Sequence, residues 1–147
     1  MARRFEDLVC WRLSHALKCE VLAFTNTGPA SRDFKFRDQI REAAASAPSN
    51  ISEAFGRFRP RETVRFLEFA YASLQETQNH LIDARDRGYL AEPLFSRLRN
   101  LARAALDATL GFLRQQHRKA AEMETRRRAA SRPPGHSRRD RSRGGAP

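Results

Sequence analysis

Long apolar runs are missing from this sequence of 147 residues. A membrane-spanning helix needs about eighteen or more consecutive apolar residues, and no such stretch occurs. The opening residues Met1 to Arg4 lead into Phe5-Glu6-Asp7 rather than into an apolar segment, so we expect no secretory signal. The sequence therefore predicts a cytoplasmic protein that does not associate with membranes.

The motifs that most often carry catalysis are also missing. The sequence has no glycine-rich phosphate loop, no Gly-x-Ser-x-Gly and no Cys-x-x-Cys. Glu76, His80 and Asp83 share one face of a predicted helix, but di-iron bundles use Glu-x-x-His, which does not occur here. We interpret this cluster as a solvated helix face, and we expect no enzyme, no bound metal and no cofactor.

Cysteine is scarce, with two residues in the whole chain. Cys10 and Cys19 are nine positions apart on one predicted helix, which places them on opposite faces. They therefore cannot form a disulfide with each other, and we interpret both as small apolar side chains in a reducing compartment.

Glycine and proline are few, seven of each, and they gather where the chain needs breaks. Between the breaks, apolar residues recur with the helical period throughout. The pattern predicts four helices, over residues 7–24, from about 34 to 55, from 60 to Gly88, and from Glu92-Pro93 to about 117. Pro48 stands inside the second helix and should kink or split it.

Four helices with short connections and no strand pattern predict an all-α, antiparallel, up-and-down four-helix bundle. Double apolar stripes on the first, third and fourth helices are wider than a monomeric bundle needs. We therefore expect a second buried surface, most simply a homo-oligomeric interface. The predicted bundle covers residues 1–118, and residues 119–147 form an arginine-rich helix extension and tail, with no ordered structure expected from Ala129 onward.

The charge is strongly positive and unevenly distributed. The sequence carries 28 Lys and Arg against 17 Asp and Glu, a net charge of +11, and nearly all of its cations are arginines. Most of the excess follows His117, so the predicted bundle itself is only mildly basic. This balance favours polyanionic partners.

Arginines gather around the predicted turn between the second and third helices. Arg57, Arg59, Arg61 and Arg65 surround Phe58, a composition typical of surfaces that contact phosphate and stack on bases. The competing interpretation is a solvated loop whose arginines pair with nearby glutamates, and for a single copy of the chain that interpretation is favoured. Repeated around an oligomer, several such clusters would hold RNA or DNA without reading its sequence.

A polar stripe runs through the second helix near Pro48. Ser46, Ser49 or Asn50, and Glu53 share one side of this helix. Such side chains either satisfy backbone groups near the proline and let helices approach closely, or form a polar binding site. The first interpretation is favoured, because no base or metal ligand accompanies them.

Several strings, in order, resemble one known family. They are Phe5-Glu6-Asp7-Leu8-Val9-Cys10-Trp11, Gln39 to Ala44, Pro48-Ser49-Asn50-Ile51-Ser52-Glu53-Ala54-Phe55-Gly56-Arg57, Phe66 to Glu76, and Gly88-Tyr89. Over residues 5 to about 117 the chain is similar to the bacterial four-helix bundle proteins encoded in intervening sequences of large-subunit ribosomal RNA genes. The motif residues are Trp11, Pro48, Ser49, Asn50, Glu53, Gly56, Gly88 and Tyr89.

The resemblance implies an antiparallel bundle that assembles as a homopentamer, and it implies no catalytic residue. A related branch, the accessory variability determinants of diversity-generating retroelements, forms basic pentamers that bind a reverse transcriptase and nucleic acid. If that branch applies, the nucleic-acid contacts are Arg37, Arg41, Arg57, Arg59, Arg61, Arg65, Arg126, Arg127 and Arg128.

Two hypotheses follow. The first is a non-enzymatic, homo-oligomeric accessory protein that binds nucleic acid, mainly RNA, or a ribonucleoprotein. The alternative is a protein–protein adaptor, such as an accessory subunit of a diversity-generating reverse transcriptase.

Overall fold

The computed structural model describes residues 1–131, and this part of the chain is all-α. A short 3-10 turn at Phe5–Asp7 precedes five α-helices. These are α1 (Val9–Phe24), α2 (Gly28–Arg32), α3 (Phe34–Phe55), α4 (Pro60–Asp86) and α5 (Leu94–Ala130). The four long helices match the four predicted from the apolar period, while α2 was not predicted.

Helix α2 occupies the break predicted at residues 26–29. Gly28 has a φ of +65°, a left-handed conformation that glycine adopts without strain, and Pro29 follows in the first turn of the helix. Ala30 is buried, so this single turn contributes to the core. A five-residue helix is too short to show an apolar period, which is why the sequence pattern did not reveal it.

Helix α3 begins where the sequence predicts, because Asp33 caps it. The Asp33 carboxylate accepts a hydrogen bond from the backbone N–H of Phe36 at 3.2 Å. Of the two outcomes expected at Pro48, a kink or a split, the split does not occur, since α3 runs unbroken from Phe34 to Phe55. Proline removes one backbone hydrogen bond, but Ala44, Ala47, Pro48 and Ile51 are all buried, and their packing holds both halves of the helix against the same neighbours.

Helix α4 has a proline at its start and a glycine after its end. Pro60 is the first helical residue, where its missing N–H costs nothing. At the other end, Tyr89 N–H bonds to the Ala84 carbonyl at 2.8 Å and Gly88 N–H to the Arg85 carbonyl at 2.9 Å. This pair of bonds is a Schellman motif, which requires the left-handed φ of +75° at Gly88.

Helix α5 is longer than the apolar period predicts. It begins at Leu94, directly after Pro93, and continues to Ala130. The expectation that order ends before Ala129 was therefore wrong by two residues. The predicted arginine-rich extension is helical as far as the structure describes it, and the rest of the predicted tail, residues 132–147, lies outside the described residues.

The long helices form a helical bundle whose interior holds two clusters of buried apolar side chains. Helix α3 packs against α1 and α4, and α5 packs against the same two helices. Fully buried side chains come from all four, including Leu17 of α1, Ile40 and Ile51 of α3, Leu74 of α4 and Leu98 of α5. Burying a side chain of this size contributes about 1.5–3 kcal/mol, so the core accounts for most of the stabilisation.

The broad apolar faces of the helices are only partly buried within one copy of the chain. Trp11 is half-buried, packed edge-to-face against Phe5 at 5.1 Å between ring centroids and stacked on His15 at 4.6 Å. Val9 and Phe69, in contrast, remain 60% and 45% exposed. Cys10 is buried and Cys19 is exposed, as expected for opposite faces of α1. None of the helices in residues 1–131 is both long and apolar enough to cross a membrane.

Candidate nucleic-acid interface

The connection between α3 and α4 presents arginines at one end of the bundle. Gly56 terminates α3, with its N–H directed to the carbonyls of Ser52 and Glu53, and α4 begins four residues later at Pro60. Arg57 forms an ion pair with Glu53, and its guanidinium lies 4.7 Å from the ring centroid of Phe66.

The other arginines of residues 57–65 are exposed, Arg59 in the connection and Arg61 and Arg65 in α4. Arg59 is 83% exposed at its side chain and approaches Glu62 only at 3.9 Å. The guanidinium of Arg65 lies 5.6 Å from the centroid of the Phe69 ring. The predicted pairing with local glutamates is therefore real for Arg57 and weak for Arg59, and it leaves cationic groups accessible to solvent.

Helix α5 returns to the same end of the bundle. Arg61 donates a hydrogen bond to the Glu124 carboxylate at 3.3 Å, across 63 residues of sequence. Glu124 also accepts from Arg128 at 3.2 Å, one turn further along α5. Further up the two helices, His117 approaches Glu68 at 4.0 Å. The last turns of α5 therefore lie beside the first turns of α4.

A cleft of about 580 Å³ lies between these turns. Its α4 side is formed by the start of the helix and its α5 side by the extension. The lining residues are Arg59, Pro60, Arg61, Glu62, Ala120, Met123, Glu124 and Arg127. Guanidinium groups thus line two walls, and Pro60, Ala120 and Met123 contribute apolar surface between them.

The local charge at this end is strongly positive. Residues 57–65 hold four arginines and one glutamate, and residues 118–131 hold five cations and two glutamates. Guanidinium groups bind phosphate oxygens through paired N–H donors, and their charge persists at any physiological pH. We name this set of residues, 57–65 and 118–131, the basic end.

Two predicted contacts are not at the basic end. Arg37 and Arg41 lie in the first turns of α3, and 16 to 20 residues of helix separate them from Arg57, about 24–30 Å along the axis. Arg41 donates to the Thr25 hydroxyl at 2.8 Å and to the Asn26 side-chain oxygen at 2.7 Å, which ties α3 to the end of α1. Arg37 pairs with Asp38 at 3.0 Å. Their observed contacts are structural.

The remaining predicted contacts belong to the last turns of α5. Arg126, Arg127 and Arg128 are all exposed. Of these, Arg127 lines the cleft and Arg128 pairs with Glu124. The structure therefore brings together arginines that are about sixty residues apart in sequence.

The polar stripe of α3 makes the helix-to-helix contacts expected of the structural interpretation. The Asn50 amide donates to the Ser46 carbonyl at 2.9 Å and to the Ser46 hydroxyl at 3.0 Å. The Ser73 hydroxyl of α4 donates to the same Ser46 oxygen at 2.9 Å. Ser49 and Glu53 are exposed beside this network. The Asn50 bonds lie within α3, and the Ser73 bond joins α3 to α4.

The Gly88-Tyr89 motif stabilises the opposite end of the bundle. The Tyr89 hydroxyl donates to Asp33 at 2.8 Å, and Arg87 approaches the same carboxylate at 3.5 Å. The hydrogen bonds from Phe36 N–H and from Tyr89 lower the pKa of Asp33, and Arg87 lowers it further. The network joins the cap of α3 to the residues that follow α4.

The Glu76, His80 and Asp83 cluster does not assemble into a metal site. Nε2 of His80 lies 3.6 Å from Glu76, whereas Asp83 pairs with Arg87 at 2.9 Å. Across residues 1–131, the structure brings no three His, Cys, Asp or Glu side chains into an arrangement that could hold a metal ion.

Sequence reasoning missed Glu124 and Met123 as parts of the basic end. Glu124 and Arg128 have the i, i+4 spacing of helical ion pairs, so this pair could be predicted from the sequence. The contact of Glu124 with Arg61 joins two different helices, and it could not be predicted without knowing how those helices pack.

These observations define an all-α helical bundle with an arginine-rich end. Comparison with family profiles gives the particular family: residues 6–108 match the profile of the 23S rRNA-intervening sequence proteins. The chain therefore belongs to the 23S rRNA-intervening sequence protein family, as its sequence motifs indicated. No curated protein matches the chain.

Proposed function

We propose that this protein is a non-enzymatic, cytoplasmic accessory protein that binds nucleic acid, mainly RNA, through its basic end. In this proposal the chain forms an antiparallel four-helix bundle that assembles into a homopentamer. Phosphate contacts come from the arginines of residues 57–65 and 118–131, and no residue acts as a catalyst.

One observation carries this proposal. Two arginine-rich segments that are far apart in sequence meet on a single surface, where Arg61 contacts Glu124 at 3.3 Å. A solvated loop would need no such convergence. A nucleic-acid backbone carries charges repeated along a line, and its affinity for a protein grows with each phosphate that the protein contacts. A surface on which two arginine segments meet can contact more of these phosphates than one segment can.

The order of contacts supports the antiparallel arrangement. Arg61 near the start of α4 meets Glu124 near the end of α5, while Glu68, further along α4, meets His117, earlier on α5. Short connections join α3 to α4 and α4 to α5, as in up-and-down bundles.

Assembly would make the binding stronger. The apolar side chains that remain exposed on the helix faces, Val9 and Phe69, supply surface for contacts between subunits. A ring of copies would repeat the basic end several times, and linked sites bind one long polyanion more tightly than one site does. Native mass spectrometry should therefore show a pentamer, and a stable monomer would contradict this part of the proposal.

The proposal is tested by measuring the affinity for mixed-sequence RNA over a series of salt concentrations. Binding driven by phosphate contacts should weaken steeply as salt rises, with a slope of about −0.7 per phosphate for a single strand. Absence of binding at low salt would refute the proposal. A pull-down that recovers a protein partner and no RNA would favour the adaptor hypothesis instead.

A pair of double variants locates the binding surface. Arg59→Gln with Arg127→Gln removes two cations that line the cleft from opposite sides. Arg32→Gln with Lys35→Gln removes two exposed cations at the other end of the bundle and serves as the matched control. The first pair should weaken binding and reduce the salt slope by about one or more, whereas the control should change both much less. Equal effects would show that net charge, rather than the basic end, determines affinity.

A further inference from the structure

One aromatic side chain at the basic end has no partner within the described chain. Phe58 lies between Arg57 and Arg59 in the α3–α4 connection and is 101% exposed. Full exposure of a phenylalanine gives up about 1.5–3 kcal/mol that burial would supply. A core or structural role therefore does not explain this ring.

The other exposed phenylalanines of the bundle are each covered on one face. The guanidinium of Arg37 lies 4.8 Å from the ring centroid of Phe34, and that of Arg65 lies 5.6 Å from the centroid of Phe69. In residues 1–131, no guanidinium or aromatic ring packs on Phe58 in this way. Both of its faces are open to a ligand.

We propose that Phe58 is a stacking platform for an unpaired base, and therefore that the ligand of the basic end is single-stranded nucleic acid. This inference rests on the proposed function, because the neighbouring arginines must hold the phosphates. A base presents a flat π face at a short distance from its phosphate, and the ring is followed directly by Arg59, whose side chain is 83% exposed. Bases inside a duplex are already stacked and cannot reach a ring on a protein surface.

The size of the effect follows from base–aromatic stacking. Removing one such ring from other single-strand binders costs about 1–3 kcal/mol per base. Phe58→Ala should therefore weaken binding of a single strand by about 5-fold to 150-fold. Duplex binding uses phosphate contacts alone, and its affinity should change by no more than about twofold.

The experiment compares two RNAs with the same number of phosphates, a single-stranded oligouridylate and a blunt duplex, by fluorescence anisotropy. Phe58→Leu separates stacking from general hydrophobic contact, because leucine keeps the apolar volume without the π face. It should lose affinity as alanine does, and Phe58→Trp should restore it. Phe34→Ala removes another exposed ring, 65% exposed at the opposite end, and should leave both affinities unchanged.

The outcomes distinguish failure of the proposed function from failure of the stacking role of Phe58. If the wild-type protein binds neither RNA at low salt, the proposed function fails. If it binds both RNAs and Phe58→Ala binds them as the wild type does, the proposed function stands and the stacking role is refuted. If Phe58→Ala changes the oligomeric state in native mass spectrometry, the ring is a subunit contact and the stacking role is also refuted.

Discussion

Replacing Glu124 by glutamine should strengthen RNA binding, an unusual direction for a substitution at a binding surface. The Glu124 carboxylate contacts Arg61 at 3.3 Å and Arg128 at 3.2 Å, and therefore neutralises part of the basic end. Glutamine has the same shape and retains hydrogen-bonding capacity, but it lacks the charge. Both guanidinium groups then become available to phosphate.

The expected gain can be worked out from the charges. Two unit charges in water interact by about 1 kcal/mol at 4 Å, so a carboxylate about 7 Å from a bound phosphate costs roughly 0.6 kcal/mol, or about threefold in affinity. Each arginine that gains a phosphate contact also adds about 0.7 to the steepness of the salt dependence. We expect an increase of about three- to tenfold at low salt, which shrinks as salt rises. Folding stability should change little, because exposed ion pairs contribute about 0–1 kcal/mol.

Fluorescence anisotropy with a labelled single-stranded RNA measures this change, and Glu122→Gln is the matched control. Glu122 is exposed on the same helix and forms no ion pair within residues 1–131, so its loss changes net charge equally without freeing an arginine. Glu122→Gln should raise affinity by about twofold or less. Equal RNA affinity of the two variants, or a lower affinity of Glu124→Gln than of the wild type, would refute this prediction.

Three further predictions concern the fold. Gly88→Ala places a side chain on a residue with a φ of +75° and should lower the free energy of unfolding in urea by about 1–2 kcal/mol. Gly111 lies inside α5 with open space around it, so Gly111→Ala should raise the free energy of unfolding by about 0.5–1 kcal/mol. Since the pKa of Asp33 is lowered below its usual 3.8, its charge stabilises the fold above that pH, and this contribution is lost as pH falls through the folded-state pKa. Acid unfolding of Asp33→Asn should therefore depend less on pH than that of the wild type, and an unchanged pH profile would contradict the assignment. Burial raises the pKa of the Cys10 thiol to about 11, so a maleimide at pH 7 should label Cys19 alone, and Cys19→Ser should abolish fast labelling.

The helices could be predicted because each carries local signals at its ends. Asp33 before α3, Pro60 at the start of α4 and Gly88 after its end act through backbone geometry within a few residues, so the sequence alone shows them. The short helix α2 and the final residues of α5 lack an apolar period, and periodicity could not place them.

The expected split of α3 at Pro48 failed for a different reason. A proline disrupts an isolated helix, but in α3 it lies on the buried face, and tertiary packing outweighs the single hydrogen bond that is lost. Local rules cannot weigh this, because the burial of Pro48 depends on the helices that pack against it.

Only one of the two arginine segments of the candidate site stands out in the sequence as a cluster. The arginines of residues 57–65 are a compact sequence cluster, whereas their meeting with Arg127 depends on where α5 ends relative to α4. Arg37 and Arg41, which the family resemblance implies as further contacts, lie near the other end of α3. Charge composition identifies candidate cations, and only the packing of helices decides which of them share a surface.

The most direct test of the account is ultraviolet crosslinking of the protein to a short single-stranded RNA, followed by mass spectrometry of the crosslinked peptides. If one RNA binds across the basic end, crosslinks should fall in both residues 57–65 and residues 118–131, with Phe58 among the attached residues. Crosslinks confined to the start of α3, around Arg37 and Arg41, would contradict the central claim that the two distant arginine segments form one nucleic-acid interface.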